Sequence, residues 1–453
     1  MDRPLRVAVI GSGPSGMYAA DALVNQTAIP VSVDVIDRLP VPFGLVRYGV
    51  APDHLSIRSV RDTLDKTLDK PGVRFIGNLE VGRDISMASL HDYFDAIVLT
   101  YGASRDRRLD IPGEDLDGSI AATDFVAWYC GHPDADRATF ERLLPTATSA
   151  VVVGVGNVAI DVTRVLAKTV GELDHTDMPQ HVLETLRASN LTDIHLLGRR
   201  GPAQATFTTK ELKELGELLE ADVVVDPADL AFDEASEQAI ATDKAIARNV
   251  EVIREWSRRE QTGKPRRVHV HFLARPVELR GDDRVREVVV ERTALDGSGG
   301  VTGTGVLTTI PADLVVRSVG YRGTALDEVP FDERRGVIPN ADGRVQRDGA
   351  SVPGEYVAGW IKRGPTGIIG TNKKDAAATV ASLLDDVQNG TLPKPGNASA
   401  EQFDQWLAEH ANDVVTTQGW RSIDEAERAL GQSAGRPRTT IHDTDALLAA
   451  SRG

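Results

Sequence analysis

Cysteine is almost absent from this chain of 453 residues, which contains only Cys130. One cysteine cannot form a disulfide, a CxxC redox pair or a four-cysteine iron–sulfur site within the chain, so any such centre must belong to a partner. No run approaches the roughly 18 apolar residues that a membrane-spanning helix needs. These absences exclude a disulfide-reductase mechanism, and we expect no membrane span.

Basic side chains are also in the minority, with 51 lysines and arginines against 67 aspartates and glutamates and a formal charge of −16. This balance argues against a nucleic-acid or anionic-membrane partner. The apolar content of 41% is enough to give two or three domains a core each. No charged-then-apolar leader precedes the first strand-like segment, so we expect an intracellular, cytoplasmic protein.

The first strong pattern is a glycine loop between a predicted strand and a predicted helix. An apolar run at 6–10 leads into the loop Gly11–Gly16, and residues 17–24 have helical character. A second apolar run at 31–36 closes a βαβ unit, in which the two strands pair in parallel. The segment is therefore typical of a Rossmann-type dinucleotide-binding unit.

Each glycine of this loop has a physical reason to be there. Gly11 permits the tight turn, Gly13 leaves room for phosphates, and Gly16 lets the helix pack closely on the strand. Asp37 ends the second predicted strand. A carboxylate at that place accepts hydrogen bonds from ribose hydroxyls and repels a 2′-phosphate, so we expect this site to bind FAD or NAD.

The same pattern returns far downstream. An apolar run at 149–153 leads into a loop at 154–159, which keeps Gly154 and Gly156 but ends in alanine, and a predicted helix follows at 160–168. This second βαβ pattern predicts a second dinucleotide site.

Two arginines stand where the first site has its aspartate. Arg199 and Arg200 follow the predicted strand 194–197, and guanidinium groups bind phosphate through paired hydrogen bonds. We therefore expect the second site to bind NADPH; the alternative is an exposed arginine pair without a ligand. The arginines lie farther from Gly156 than usual, which indicates either an insertion around 171–190 or a different register.

A third glycine cluster, at 359–372, ends on the predicted N-terminus of a helix at 372–388. Helix N-termini stabilise negative charge, which a reduced flavin carries. We therefore hypothesise that Gly367, Ile368 and Ile369 present N–H groups to a flavin and that Trp360 lies along its ring. A glycine-rich turn with a core tryptophan is the alternative.

The rest of the chain is predicted to be α/β, because strands and helices alternate along it. We predict a helical excursion at 226–259, a hairpin loop at 297–305, and a polar tail with two short helical segments after residue 396. The further predicted strands are 96–99, 194–197, 268–273, 285–291, 314–319 and 356–358.

The motifs taken together resemble one known family over nearly the whole chain. They are 11–16 (GSGPSG), 42–54 (PFGLVRYGVAPDH), 156–161 (GNVAID), 198–202 (GRRGP), 359–367 (GWIKRGPTG) and, in the tail, 435–438 (GRPR). They resemble adrenodoxin reductase and its stand-alone actinobacterial ferredoxin–NADP⁺ reductase relatives. The resemblance implies two Rossmann-like domains, an NADP domain (106–323) inserted into a discontinuous FAD domain (1–105 and 324–453).

The resemblance also implies the residues that contact each cofactor. Asp37 stands where relatives usually have glutamate, which keeps the carboxylate but shortens its reach. The implied FAD contacts are Gly11, Gly13, Pro14, Ser15, Gly16, Asp37, Leu45, Val81, Trp360, Gly367, Ile368 and Ile369. The implied NADP contacts are Arg107, Gly154, Gly156, Asn157, Val158, Arg199, Arg200, Glu211 and Gly367.

The reaction implied is hydride transfer from NADPH to FAD, followed by single-electron transfers to a ferredoxin, which could feed a cytochrome P450. Alignment matters more to such a step than a protein acid or base does. His54 and Glu214 match positions for a proton path, and Asp161 matches one near the nicotinamide. The alternatives are a turn histidine, an exposed acid on a helix and a first-turn helix acid.

A ferredoxin is usually acidic, so the docking candidates are basic clusters; solvated helix faces are the alternative. The candidates are Lys244, Arg248, Arg254, Arg258, Arg259, Lys362 and Arg363. His269 and His271 share a strand face, but no further ligands lie nearby in sequence, so we expect no metal.

Three competing functions remain open at this point. They are a flavin monooxygenase, an electron-input subunit of a larger complex, and a dinucleotide-binding protein without turnover. The monooxygenase would need a motif of its own between the glycine loops, and the input subunit would need a tightly bound iron–sulfur partner.

Overall fold

The computed structural model describes residues 3–230, 232–396, 399–411 and 413–453. The chain divides into two compact units. The first unit combines the residues up to Arg105 with those from Tyr321 onward, and the second unit is Asp106–Gly320. The prediction that no leader precedes the first strand concerns the start of the chain, and Met1 and Asp2 lie outside the described residues.

The first unit is built on an eight-stranded sheet whose centre is parallel. Its central strand is Leu5–Ile10, every residue of which is buried, as expected of a strand covered on both faces. From edge to edge the strands are Asn340–Ala341, Arg344–Arg347, Ala350–Val357, Ala96–Leu99, Leu5–Ile10, Val31–Ile36, Val73–Gly77 and Val415–Thr416.

Helices of the first unit connect and cover these strands. Two of these helices follow the glycine segments of the unit, namely Pro14–Asn25 and Ile369–Asn389. They pack on each other. The full set is Pro14–Asn25, Leu45–Tyr48, Leu55–Arg58, Val60–Leu68, Met87–Tyr93, Trp360–Arg363, Ile369–Asn389, Ala400–His410, Thr417–Ser433 and Thr444–Ser451.

The prediction of two short helical segments in the tail was wrong. Three helices and a strand follow residue 396, and the strand Val415–Thr416 extends the sheet of the first unit. Trp420, Ile423 and Leu447 are buried there. The tail is therefore part of the core of this unit, because its apolar side chains face inward from an otherwise polar sequence.

The second unit has a six-stranded parallel sheet. Apolar runs such as Ser149–Val153 are wholly buried. In order the strands are Ser119–Ala121, Leu314–Arg317, Ser149–Val153, Asp193–Leu197, Arg266–His271 and Ala221–Val225. A separate antiparallel sheet contains Ala274–Arg280, Glu287–Leu295 and Val301–Pro311, and short strands at Arg105–Asp106 and Tyr321–Arg322 mark the two chain crossings.

Short helices fill the connections of the second unit. Three of them, Val170–Glu172, Pro202–Gln204 and Pro227–Asp229, are 3₁₀ turns. The α-helices are Ala122–Tyr129, Arg137–Leu143, Asn157–Ala167, Gln180–Arg187, Thr209–Leu215, Glu234–Thr242 and Lys244–Trp256. In the described part of the chain no helix combines the length and apolar character needed to cross a bilayer.

Two predictions about spacing have an outcome here. The long interval before Arg199 is an insertion, because Gln180–Arg187 adds a helix while the strands on either side keep the parallel pairing of Val153 with Leu197. The predicted hairpin loop at 297–305 was too long, since the strand Val301–Pro311 already begins within it. Glycines in that strand accommodate an irregular register opposite Glu291 and Thr293.

Candidate dinucleotide-binding sites

The three glycines of the first loop have three different steric surroundings. Gly11 has φ +104, and a Cβ there would lie 2.7 Å from Cα of Tyr101. A Cβ on Gly16 would lie 1.9 Å from the carbonyl oxygen of Gly11, so any side chain would push the helix off the strand. A Cβ on Gly13 would meet nothing within 4 Å. The loop is thus closed at its ends and open at its middle glycine.

The helix that follows begins without a side-chain cap. Gly13 is the N-cap residue of Pro14–Asn25 and, lacking a side chain, makes no capping hydrogen bond. Pro14, in the first turn, contributes no N–H. The positive end of the helix dipole therefore lies at the open middle of the loop, which is suitable for a pyrophosphate.

Asp37 lies at the end of the neighbouring strand and binds this same loop. Its Oδ2 accepts hydrogen bonds from Ser12 N (2.8 Å) and Ser12 Oγ (2.5 Å), and its Oδ1 accepts one from Leu39 N (3.0 Å). The carboxylate is only half-buried. Asp37 is therefore both oriented by the loop and accessible to a ribose beside it.

The segment 42–54 lies against the open middle of the loop. Phe43 N donates to Ser12 O (3.1 Å), and a Cβ on Gly44 would be 3.0 Å from Cα of Gly13. Leu45 begins the next short helix and is 38% exposed. The structure thus brings Leu45 to the loop, whereas Val81 is buried within the apolar core of the unit.

The third glycine cluster contacts the first glycine loop. A Cβ on Gly359 would lie 2.1 Å from Ser15 Oγ, so glycine is required for this approach. Trp360 follows, with its ring 5.6 Å from that of Tyr321. Its buried Nε1 makes no hydrogen bond to any residue that the structure describes.

Residues on the helix Ile369–Asn389 fix this cluster in place. Asp375 accepts from Gly359 N (2.5 Å) and pairs with Lys362 Nζ (2.9 Å), and Arg363 donates to Asn372 Oδ1 (2.6 Å). The side chains of Lys362 and Arg363 are mostly covered and hold the glycine cluster together, which leaves little of either for contact with a docking partner.

Gly367, Ile368 and Ile369 lie at the start of this helix, and we expected their backbone N–H groups to contact a flavin. One of these groups already makes a hydrogen bond within the protein. Ile368 N donates to Thr371 Oγ1 (3.2 Å). Gly367 has φ +82, and a Cβ there would be 2.7 Å from Thr371 Oγ1. Gly367 and Ile369 therefore remain the better candidates for contacts to a flavin, while the Ile368 side chain is 71% exposed.

The features of the first unit fit an FAD. The open Gly13, the uncapped helix and the carboxylate of Asp37 suit the pyrophosphate and ribose of a dinucleotide. Trp360, which follows the glycine in contact with Ser15, adds a buried Nε1 donor without a hydrogen bond to any described residue. All of these groups belong to one compact unit.

The second glycine loop has the same plan. Gly154 has φ +137, and a Cβ there would lie 2.1 Å from Ser318 O, whereas the nearest atom to a Cβ on Gly156 is Thr206 Oγ1 at 3.5 Å. Gly156 is the N-cap of Asn157–Ala167 and makes no side-chain cap. This helix too therefore begins with uncapped N–H groups at an open glycine.

The first residues of that helix reach the elements around it. Asn157 Oδ1 accepts from Thr208 N (2.8 Å), at the start of the helix Thr209–Leu215 that contains Glu211. Val158 is half-buried. The predicted contacts Asn157, Val158 and Glu211 thus lie in one part of the second unit.

Arg199 and Arg200 are held by their backbone but not by their side chains. Arg199 O accepts from Thr293 Oγ1 (2.7 Å) and Arg200 O from Leu273 N (3.1 Å). Neither guanidinium has a hydrogen bond or ion pair among the described residues. A fixed backbone with unpaired cations fits a 2′-phosphate. Arg107 is exposed near the first chain crossing, where its N–H donates to Gly320 O (2.9 Å).

A buried arginine gathers the acids of the second unit. Arg164 Nη1 lies 2.8 Å from Asp161, 3.3 Å from Glu214 and 3.7 Å from Glu211. Glu214 is more exposed than the other two acids. The sequence reasoning missed Arg164, although a charge three residues after Asp161 in an apolar helix was a usable signal.

The remaining predicted residues belong to other elements of the chain. His54 is buried at the N-cap of Leu55–Arg58 in the first unit. Of the basic helix residues, Lys244 and Arg248 are exposed, Arg254 lies over the Phe232 ring and Arg259 pairs with Glu255. Arg258 is exposed as well.

Comparisons with known proteins agree with this arrangement. Residues 5–188 match the family described as pyridine nucleotide-disulphide oxidoreductase. The chain is 43% identical to the NADPH-ferredoxin reductase FprA of Mycobacterium tuberculosis, covering 100% of both chains. It is 37% identical to the mitochondrial NADPH:adrenodoxin oxidoreductase of Arabidopsis thaliana, covering 99% of this chain and 96% of the relative.

A solved structure is similar over the same length. It is Mycobacterium tuberculosis FprA in complex with NADPH, with a TM-score of 0.92, 43% identity and 100% coverage of both chains. The disulphide chemistry in the family description is not available within a chain that has only Cys130.

Proposed function

The chain belongs to the family of NADPH–ferredoxin reductases and adrenodoxin reductases, and we propose that it carries electrons from NADPH through FAD to a ferredoxin-type iron–sulfur protein. The observation that carries this proposal is that the chain has two glycine loops whose neighbouring strands end in side chains of opposite charge. One loop has the carboxylate Asp37 beside it, and the other is followed by the unpaired guanidinium groups of Arg199 and Arg200.

In the first unit the chain binds and orients FAD. When bound, FAD accepts two electrons as a hydride and passes them on one at a time. Gly13 and the helix after it would receive the pyrophosphate, and Asp37 the ribose. The other proposed contacts are Gly11, Pro14, Ser15, Gly16, Leu45, Val81, Trp360, Gly367, Ile368 and Ile369.

In the second unit the chain binds NADPH. Gly156 and the uncapped helix after it would receive the pyrophosphate, and the arginine pair the 2′-phosphate. Selectivity for NADPH over NADH follows, because only NADPH offers these cations an anionic partner. The other proposed contacts in this unit are Arg107, Gly154, Asn157, Val158 and Glu211, and Gly367 of the first unit is the remaining proposed NADP contact.

We propose that His54, Glu214 and Asp161 hold or move protons released on reoxidation. The support is the chemistry and placement of these groups: His54 is a buried imidazole, and the two acids share the buried cation Arg164. Asp161 is thus the stronger candidate for a positioning role, and the more exposed Glu214 for proton exchange with water.

The partner that this function requires is an iron–sulfur protein, since this chain has no cysteine set to bind a cluster itself. We propose that this protein is cytoplasmic and that its partner is a ferredoxin, which could feed a cytochrome P450. For docking, Lys244, Arg248 and Arg258 are the exposed basic residues that an acidic partner could contact.

The test is a visible spectrum of the purified protein during anaerobic titration with NADPH, followed by ferredoxin-coupled reduction of cytochrome c. We expect an oxidised flavin spectrum that NADPH bleaches and cytochrome reduction that depends on ferredoxin. Bleaching without that dependence would favour another flavin oxidoreductase, such as a monooxygenase. Co-purification with a tightly bound iron–sulfur protein would favour an electron-input subunit. A protein that takes up no FAD would refute the proposal.

A further inference from the structure

A fully buried ion cluster joins the segment 42–54 to the C-terminal tail. Both guanidinium nitrogens of Arg47 bind the carboxylate of Glu427, one of them at 3.0 Å. The same carboxylate accepts from Arg438 Nη1 (2.8 Å) and from Ile441 N (2.9 Å). The Glu427 side chain is 0% exposed and that of Arg47 1%. Glu427 therefore accepts hydrogen bonds from two separate stretches of chain, one at Arg47 and one at 438–441.

An aromatic contact accompanies the cluster on the same tail helix, Thr417–Ser433. The Phe43 ring meets the Trp420 ring edge to face at 5.6 Å, and the guanidinium of Arg47 lies 5.8 Å from the Trp420 ring. Phe43 has φ +85, a conformation that costs a non-glycine residue free energy. The surrounding contacts must therefore hold Phe43 in this conformation.

The other side of this segment faces the first glycine loop. Phe43 N donates to Ser12 O, and Gly44 approaches Gly13 closely, as described above. The strained Phe43 is thus fixed between the tail helix and the glycine that is open to the pyrophosphate. A shift of Phe43 would move Gly44 and Leu45 relative to that glycine.

We propose that Glu427 is a positioning residue for the flavin site, which fixes the Phe43–Arg47 segment against the first glycine loop and thereby slows the release of FAD. The inference rests on the proposed binding of FAD by the first unit. It assigns a role in cofactor retention to the C-terminal tail, which carries no glycine loop of its own.

Stability alone does not explain such a cluster. Buried ion pairs are often no more stabilising than well-packed apolar residues of the same volume, because both charges lose their hydration. Burial by itself would lower the pKa of Arg47, but the Glu427 carboxylate raises it above the usual value. What the pair adds is a defined geometry, because a bidentate contact fixes Arg47 in both distance and plane.

The decisive experiment compares FAD release from the holoenzyme with that from E427Q. Release is followed at 25 °C by the rise of flavin fluorescence on dilution, and folding by far-UV circular dichroism at the same temperature. We expect FAD release to be at least tenfold faster while the dichroism spectrum is unchanged. A purely structural role would lower the unfolding temperature but leave the release rate at 25 °C within twofold of wild type, and that result would overturn the proposal.

A matched control and a milder variant complete the test. Glu425 lies exposed on the same helix, so E425Q should release FAD at the wild-type rate. If E427Q gives no folded protein, E427D is used instead, because it keeps the charge but is one methylene too short to hold all of its donors. E427D should release FAD at least threefold faster, and a wild-type rate would reject the proposal. A wild-type protein that binds no FAD would instead refute the proposed function.

Discussion

The two glycine loops of this chain share one backbone plan and differ in how their charges are satisfied. Both begin with a glycine at positive φ that has no room for a side chain, and both place an open glycine at an uncapped helix. In the first loop Asp37 is already bound by Ser12. In the second, the arginine pair has no described partner for its side chains.

The difference indicates how each site is preorganised. An acid next to a glycine loop can be oriented by the N–H of that loop, so the FAD site has its geometry before the ligand binds. Two arginines side by side repel each other, and no acceptor among the described residues binds their side chains, so their best partner is the ligand itself. We therefore expect the first site to retain its dinucleotide and the second to exchange it.

The largest effect should come from the third glycine of the first loop. Gly16→Ala places a methyl group 1.9 Å from the Gly11 carbonyl oxygen, and overpacking of this kind costs about 3 kcal/mol or more. We expect the variant to be recovered without flavin, as judged by its visible spectrum. The second loop already has Ala159 at this place, so Ala159→Gly should cost only about 1 kcal/mol and keep NADPH binding. A yellow, stable Gly16→Ala protein would show that the two loops pack alike.

The next effect concerns the arginine pair. Arg199→Ala combined with Arg200→Ala removes charge-assisted hydrogen bonds worth about 1.5–3 kcal/mol each, so the KM for NADPH should rise roughly 1000-fold. The KM for NADH should change less than twofold, because NADH has no 2′-phosphate. Steady-state kinetics with both nucleotides tests this. Arg187→Ala, at an exposed arginine of the same unit, is the control, and equal losses for both nucleotides would contradict the assignment.

Local patterns made the loops predictable from sequence. A strand, a glycine loop and a helix are contiguous, so the residues that shape each loop lie within a few positions of one another. The parallel pairing of Leu5–Ile10 with Val31–Ile36 also follows from the crossover and is confirmed. The inserted helix Gln180–Arg187 has no such contiguous pattern. The sequence indicated only that the interval before Arg199 is longer than usual.

Contacts between distant parts of the chain could not be predicted in this way. Lys362 and Arg363 looked like a docking surface because Asp375 and Asn372, which bind them, lie on the next helix. The need for glycine at position 359 was not predicted, because Ser15, which lies against it, is far away in the sequence. The role of the tail was not predicted because Glu427, which is buried on a tail helix, pairs with Arg47, 380 residues earlier in the sequence.

A smaller effect should follow from Asp37→Asn. The amide keeps one acceptor oxygen for Ser12 but loses the charge that strengthens a hydrogen bond from ribose, a difference of about 1.5 kcal/mol. We expect FAD release to be roughly tenfold faster, measured by flavin fluorescence. Asp92→Asn, at an exposed aspartate of the same unit, should leave release unchanged. Unaltered release from Asp37→Asn would mean that the carboxylate serves only to brace Ser12.

The smallest expected effect concerns the two strands that precede Asp37 and Arg199, which differ in their buried polar side chains. Val31–Ile36, before Asp37, contains the buried Asp34, which pairs with Arg6 and Arg74. Asp193–Leu197, before Arg199, instead contains His195, whose Nδ1 lies 3.0 Å from His271 Nε2 and whose ring stacks on His269 at 4.5 Å. One strand thus has a compensated charge and the other a neutral imidazole.

The imidazole should make the second unit sensitive to acid. Burial and the neighbouring His269 and His271 lower the pKa of His195 to about 3, against about 6.5 in an unfolded chain. Between pH 6.5 and 3, His195 is therefore protonated in the unfolded state but neutral in the folded state. The free energy of unfolding falls as the pH drops through this range. By pH 4.5 the loss from this group should be on the order of 2 kcal/mol.

His195→Gln tests this, because it removes the titrating group and keeps a polar side chain of similar length. Between pH 7 and 4.5 the urea midpoint of the variant should fall less than that of the wild type, by a margin equivalent to about 2 kcal/mol. The two proteins are compared at each pH, so acids such as Asp193, which titrate in both, cancel from the difference. Parallel curves would place the acid sensitivity elsewhere. Urea midpoints that change less in the variant than in the wild type as the pH falls would show that the strand before Arg199 depends on an uncharged side chain. The strand before Asp37 does not, because its buried Asp34 is paired with arginines.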